Sequence, residues 1–158
     1  MAIHNDELTE LRKAIAEAFA AVPYPGDDDL IRCPYDCAEC RRIAGYFKGK
    51  NWLGHDAAEW RERHLALTLF TPKAFQYFLP GFMLASLASR DHDEILPDAI
   101  RFHFEYVLEF RKYFDVRMAA FSPAQRRVVV DYFTWMENLG IGALEDMSGS
   151  LRKEFTHA

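Results

Sequence analysis

The chain has 158 residues, 50% of them hydrophobic and 15% aromatic, and its formal net charge is −5 at pH 7. Such a chain is one domain's worth and can bury enough surface to fold without disulfides or metal. The composition excludes a disordered protein, and basic residues scattered among acidic ones argue against nucleic acid as a partner. The eight glycines and seven prolines are too few for a many-turned all-β fold.

The first predicted element is an amphipathic helix that follows a capping candidate, Asn5, and stops at Pro23. Its apolar residues recur at steps of three and four, which is the period of one helix face. These residues are Leu8, Leu11, Ile15, Ala18, Phe19 and Val22. A rigid turn follows over 23–29, because two prolines restrict φ and Gly26 permits positive φ.

Two further helices are predicted in the first half of the chain. Pro34 suits the first position of a helix and keeps the preceding residue out of helical ψ, so we predict a helix from Pro34 to about Phe47 with Cys33 as its N-cap. A helix over about 56–69 follows, with Asp56 as its capping candidate.

The second half continues in the same way. Thr71 and Pro72 begin a strongly apolar helix that contains Pro80, and a proline inside a helix is expected to kink it. Three more helices are predicted over about 97–113, from Ser122 to the glycines at 140 and 142, and over 143–155. We therefore predict an all-α fold, a single domain over 1–158 built as a bundle of about six helices with one kinked at Pro80.

The three cysteines of the chain, Cys33, Cys37 and Cys40, lie within one eight-residue stretch. On a helix these positions project within roughly 60° of one another, and thiolates are strong ligands for soft metals. A tetrahedral zinc site needs a fourth ligand, for which His64 and His55 are the first candidates, because they lie on the next helix and the link before it. The sequence thus predicts a zinc site, with Asp36 as a local oxygen alternative.

Two other interpretations of the cysteines stay open. Free cysteine also behaves as a small buried hydrophobe, and the stripe continues to Phe47, so all three could pack in the core. A helix N-terminus would lower the pKa of the Cys33 thiol, and Arg41 and Arg42 add positive charge nearby, which leaves a reactive thiolate open. The alternative function is a thiol redox or peroxide-linked enzyme using Cys37 and Cys40.

The cysteine spacing is similar to that of two enzyme families. Cys-x3-Cys-x2-Cys matches the motif with which radical S-adenosylmethionine enzymes hold a [4Fe–4S] cluster, but those enzymes need an α/β barrel and this chain shows no βα alternation. We therefore do not expect an iron–sulfur cluster. Cys37-x2-Cys40 also resembles the motif of the helical carboxymuconolactone decarboxylase-like family, whose second cysteine is soon followed by a histidine that Arg41 and its neighbours do not provide.

Two stretches, residues 22–26 (Val-Pro-Tyr-Pro-Gly) and residues 71–80 (Thr-Pro-Lys-Ala-Phe-Gln-Tyr-Phe-Leu-Pro), resemble a family of small bacterial proteins of unknown function that also has a tryptophan like Trp52 between them. The resemblance extends to about residue 135 and implies a bacterial, cytoplasmic protein with no assigned activity. The polar N-terminus lacks the features of a secretory signal, and no apolar run reaches the roughly 20 residues of a membrane span.

The leading hypothesis from the sequence is a non-enzymatic, zinc-binding helical protein with a binding or regulatory role. A third hypothesis, an immunity or toxin-neutralising protein that binds a protein partner, is based on size, acidity and the family resemblance alone.

Overall fold

The computed structural model describes residues 2–88, 95–105, 111–141 and 146–156. These residues form nine helical segments and no β-strand, so the all-α prediction is confirmed. The segments are α1 (Ala2–Phe19), α2 (Ala38–Phe47), α3 (Ala57–Glu62), α4 (Ala66–Leu69), α5 (Pro72–Ala88), α6 (Ile95–Glu105), α7 (Arg111–Met118), α8 (Pro123–Asn138) and α9 (Met147–Thr156). None of the helices in these ranges is both long and apolar enough to cross a membrane.

The predicted helix over 56–69 is divided into α3 and α4, so the prediction of one continuous helix is wrong there. Its start is confirmed, because the Asp56 carboxylate accepts a hydrogen bond from the Ala58 N–H at 3.1 Å. The helix is interrupted at Arg63, whose φ of −111° and ψ of 24° lie outside the helical region. The guanidinium of Arg63 lies 3.5 Å from the centre of the Tyr46 ring, a cation–π contact between this break and α2.

Helix α5 is the central element of the fold, and most of its residues are buried. Thr71 begins it as predicted: its hydroxyl oxygen accepts a hydrogen bond from the Ala74 N–H at 3.1 Å, and its O–H donates to the Asp29 carbonyl at 2.8 Å. The helix continues through Pro80, which is itself buried. A kink at Pro80 stays a prediction.

Aromatic rings form the core around α5. Phe47, at the end of α2, is fully buried, and its ring centre lies 5.0 Å from that of Phe70 and 4.9 Å from that of Phe78. Trp60 packs edge-on against Phe82 at 4.5 Å. Edge-to-face packing of this kind adds to the free energy of burial. Helix α2, which contains Cys40, is therefore anchored to the centre of the protein by its last residue, Phe47.

The second half contains the predicted helices with shifted ends. The predicted helix over 97–113 covers α6 and the start of α7, with residues 106–110 outside the described residues. Ser122 caps α8 as predicted, in a reciprocal capping box with Gln125. The C-terminal helix is described over Met147–Thr156, and its predicted start at residue 143 lies outside the described residues, which omit 142–145.

Candidate metal centre

The cysteines lie in the loop before α2 and in its first turn, and both flanking segments make contacts with the rest of the protein. On the N-terminal side, an isolated antiparallel bridge pairs Ile31 with Phe70, and the Arg32 N–H donates to the Leu69 carbonyl at 2.9 Å. On the C-terminal side, α2 buries Ile43 and Phe47 in the core. The cysteine loop is thus held at both ends by residues close to it in sequence.

Helix α2 begins at Ala38, so the prediction of Cys33 as its N-cap is wrong. Cys37 takes that role with extended backbone, φ −74° and ψ 157°, and its sulfur accepts a hydrogen bond from the Cys40 N–H at 3.3 Å. The physical reason is Asp36, whose φ of 44° is left-handed and cannot continue a helix. Both the carbonyl and the carboxylate of Asp36 bind the Arg41 guanidinium, which holds this turn.

The three sulfurs converge. All three lie within 4.8 Å of one another, with 3.5 Å between the Sγ atoms of Cys33 and Cys37 and 2.8 Å between those of Cys37 and Cys40. Metal–sulfur bonds of about 2.3 Å in a tetrahedral zinc site separate the sulfurs by about 3.8 Å. The cluster therefore fits a thiophilic ion if the exposed Cys37 side chain moves about 1 Å away from Cys40.

The exposure of the cysteines excludes the core-stripe interpretation. Cys40 is buried, with 5% of its surface exposed, but Cys33 is only half-buried and Cys37 is exposed. A set of inert core cysteines would be buried as a group. Solvent exposure instead decreases from Cys37 through Cys33 to Cys40, so one side of the cluster is open to solvent.

Hydrogen bonds within the cluster give the Cys33 and Cys40 thiols different pKa values. Bonds from the Cys40 thiol and from the backbone N–H groups of Cys37 and Tyr35 lower the pKa of Cys33 to about 7. Hydrogen bonds with Cys33 and Cys37, together with burial, raise the pKa of Cys40 to about 12. In the metal-free protein the Cys33 thiol therefore ionises much more readily than the Cys40 thiol, and a bound cation must displace the proton of Cys40.

The neighbouring arginines are already paired. Arg41 lies 3.1 Å from the Asp36 carboxylate and Arg42 lies 2.8 Å from the Glu39 carboxylate. The hydrogen bonds described above, and not these two guanidinium groups, account for the lowered pKa of Cys33. The sequence predicts a contribution from Arg41 and Arg42 beside that of the helix N-terminus, because it shows their charges but not the carboxylates that pair with them.

The two candidate histidines make contacts of their own and are not members of the sulfur group. One ring nitrogen of His55 contacts the Asn51 carbonyl oxygen, and the other lies 3.8 Å from the Glu59 carboxylate. The Nδ1 atom of His64 lies 2.9 Å from the Arg61 carbonyl oxygen. His64 therefore keeps one nitrogen, Nε2, for which the structure gives no partner among the described residues.

Comparison with known protein families matches residues 7–147 to DUF6714, described as a family of unknown function. No curated protein matches this chain significantly. Comparison with solved structures likewise produced no significant match.

Proposed function

Since this chain belongs to the DUF6714 family, whose function is unknown, we propose a function from the chain's own geometry: it is a zinc-binding protein with a binding or regulatory role. The observation that supports this is the convergence of the sulfurs of Cys33, Cys37 and Cys40 within 4.8 Å of one another. Thiolates select soft and borderline cations such as zinc over magnesium and calcium, which prefer oxygen.

Three thiolates leave the fourth position of a tetrahedron to another ligand, and we propose His64 for it. A metal-binding histidine commonly donates its second N–H to a backbone carbonyl, and His64 already has such a contact between Nδ1 and Arg61. His55, with both nitrogens engaged, is the less suitable of the two. Because neither ring belongs to the sulfur group, binding would require His64 to move toward it.

Titration of the reduced, metal-free protein with cobalt(II), a coloured substitute for zinc, tests the ligand set. We expect one cobalt per chain, with the intense thiolate-to-metal absorption and the visible bands of tetrahedral coordination. Cys33→Ser, Cys37→Ser and Cys40→Ser should each weaken binding and reduce the charge-transfer absorption. Absence of that absorption in the wild-type protein would contradict the proposal.

Histidine variants test the fourth ligand. His64→Ala should alter the visible bands and weaken binding about 10-fold or more, whereas His55→Ala serves as the matched control and should leave the spectrum unchanged. Identical spectra for both variants would remove His64 from the site and leave the fourth position to Asp36 or solvent.

A second candidate, thiol–disulfide exchange by Cys37 and Cys40, is favoured by the 2.8 Å separation of their sulfurs. With a small disulfide such as oxidised glutathione as the oxidant, one thiolate attacks it and releases one glutathione thiolate, and the second cysteine then displaces the other. The two cysteines lose two electrons and two protons, and the glutathione disulfide is reduced to two thiols.

Mass spectrometry separates this candidate from zinc binding. Exchange chemistry predicts a loss of two hydrogens in the wild type and in Cys33→Ser, but not in Cys37→Ser or Cys40→Ser. A wild-type protein that keeps all three thiols, or stops at a mixed disulfide with glutathione, would exclude it.

A further inference from the structure

A pocket of about 240 Å³ lies beside the bridge that precedes the cysteines, and the zinc proposal does not involve it. Its walls come from that segment, α4, α6 and α7. Pockets for drug-sized ligands measure roughly 300–1,000 Å³, so this one suits a smaller molecule.

The most unusual group in the pocket is a buried arginine. Arg117 is only 6% exposed, and its guanidinium donates to the Leu67 carbonyl at 3.3 Å and lies 4.5 Å from the centre of the Phe75 ring. Among the described residues, no carboxylate lies within ion-pair distance of it. Burial of a cation is costly unless an opposite charge accompanies it.

A second guanidinium faces the same space. Arg32 lies 4.5 Å from the centre of the Tyr113 ring, and it too has no carboxylate partner in the described part of the chain. Burial, and then the charge of Arg32, lower the pKa of Arg117 to about 10. Arg117 is still charged at neutral pH, so two positive groups share one pocket.

His103 adds a neutral hydrogen-bond donor. Burial and the charges of Arg117 and Arg32 lower its pKa to about 3. Its Nδ1 lies 2.6 Å from Nη1 of Arg117, which can only donate, so Nδ1 is the acceptor and the ring proton is on Nε2. The Thr68 hydroxyl also lines the pocket and can donate a hydrogen bond. Among the described residues that line the pocket there is no carboxylate.

The remaining lining is aromatic. Phe102, Tyr113 and Phe114 form apolar walls, and Phe102 and Tyr113 are about half exposed at the surface. We propose that this pocket binds a small organic oxyanion, whose head group pairs with Arg117 and Arg32 and whose apolar body packs against these rings. Guanidinium groups match the planar geometry of such head groups, and aromatic walls would select an apolar body over an inorganic ion.

Isothermal titration of the full chain with 3-phenylpropionate tests the proposal, with uncharged 3-phenylpropanol and inorganic phosphate as comparison ligands. We expect saturable one-to-one binding of 3-phenylpropionate and at least about 10-fold weaker binding of each comparison ligand, because the alcohol lacks the negative charge and phosphate lacks the apolar body. Equal affinity for 3-phenylpropionate and 3-phenylpropanol, or for 3-phenylpropionate and phosphate, would overturn the proposal, as would no saturable binding of 3-phenylpropionate.

Variants locate the binding. Arg117→Gln should abolish binding of 3-phenylpropionate, and Arg32→Gln, at an exposed position, should weaken it at least threefold. Arg127→Gln is the control, because it removes the same charge from an exposed site on α8 that does not line the pocket. Equal effects of the substitutions at 32 and 127 would overturn the proposal, even if the variant at 117 fails to fold.

Discussion

The sulfur of Cys37 accepts a hydrogen bond from the backbone N–H of Cys40 at 3.3 Å while it lies 2.8 Å from the Cys40 sulfur. One side chain thus caps α2 and belongs to the thiol cluster. The start of the helix and the arrangement of the proposed ligands are therefore coupled through Cys37.

That coupling predicts different outcomes for two substitutions at residue 37. In the metal-free protein, Cys37→Ser should be at least as stable as wild type, because a serine hydroxyl is a good N-cap. Cys37→Ala should be less stable than the serine variant by about 1 kcal/mol, since the cap is lost. Urea unfolding of the three reduced proteins measures this, and equal stability of the two variants would show that Cys37 does not cap α2.

Zinc should stabilise the folded protein. A ligand that binds only the folded state at 1,000 times its dissociation constant adds about 4 kcal/mol to the free energy of unfolding. We expect zinc to raise the urea midpoint of the wild type, and magnesium, which prefers oxygen ligands, to leave it unchanged. Cys40→Ser, compared with its own metal-free form, should be stabilised by zinc less than the wild type is, and an equal response would place the zinc elsewhere.

Close packing at Gly81 allows a test of the core. An added Cβ there would lie 2.7 Å from Cζ2 of Trp60 and 2.9 Å from the backbone oxygen of Trp52. Gly81→Ala should therefore lower the free energy of unfolding by about 1–3 kcal/mol. Gly45→Ala, on the exposed side of α2 with no atom within 4 Å, should raise it by up to about 1 kcal/mol. A neutral or stabilising effect at Gly81 would contradict this packing.

The lowered pKa of His103 predicts a pH dependence of stability. Above about pH 6.5 the ring is neutral in both states, whereas between about 6.5 and 3 the unfolded chain gains a proton that the folded protein does not. Acidification over this range should thus favour unfolding, by at most about 1.4 kcal/mol per pH unit from this group.

Unfolding measured at several pH values, wild type against His103→Gln, isolates that contribution from those of the carboxylates. The stability difference between the two should shrink as the pH falls. His4→Gln, at an exposed residue, is the control and should follow the wild-type curve. A difference that stays constant with pH would show that His103 titrates normally in the folded protein.

The order of helices was predictable because it depends on local features. Hydrophobic spacing located the helices, and Asp56, Thr71 and Ser122 marked three starts that the structure confirms. The division between α3 and α4 was not predictable, because it involves a contact of Arg63 with a ring on α2 that sequence spacing does not reveal.

The cysteine cluster was predictable as a group but not in its details. The sulfurs converge because the cysteines are close in sequence. The start of α2, in contrast, depends on the left-handed turn at Asp36, which is held by a contact with Arg41 that the sequence does not reveal.

The pocket that contains Arg117 was not predicted from the sequence. A signal for it existed, since Arg117 follows Phe114 by three residues and precedes Met118, which places it on the buried face of α7.

Elemental analysis of the protein, purified without metal-affinity steps and with its thiols kept reduced, tests the central claim most directly. The account predicts about one zinc per chain in the wild type and none in the variant with serine at positions 33, 37 and 40. Less than about a tenth of an equivalent of any transition metal in the reduced wild-type protein would contradict it.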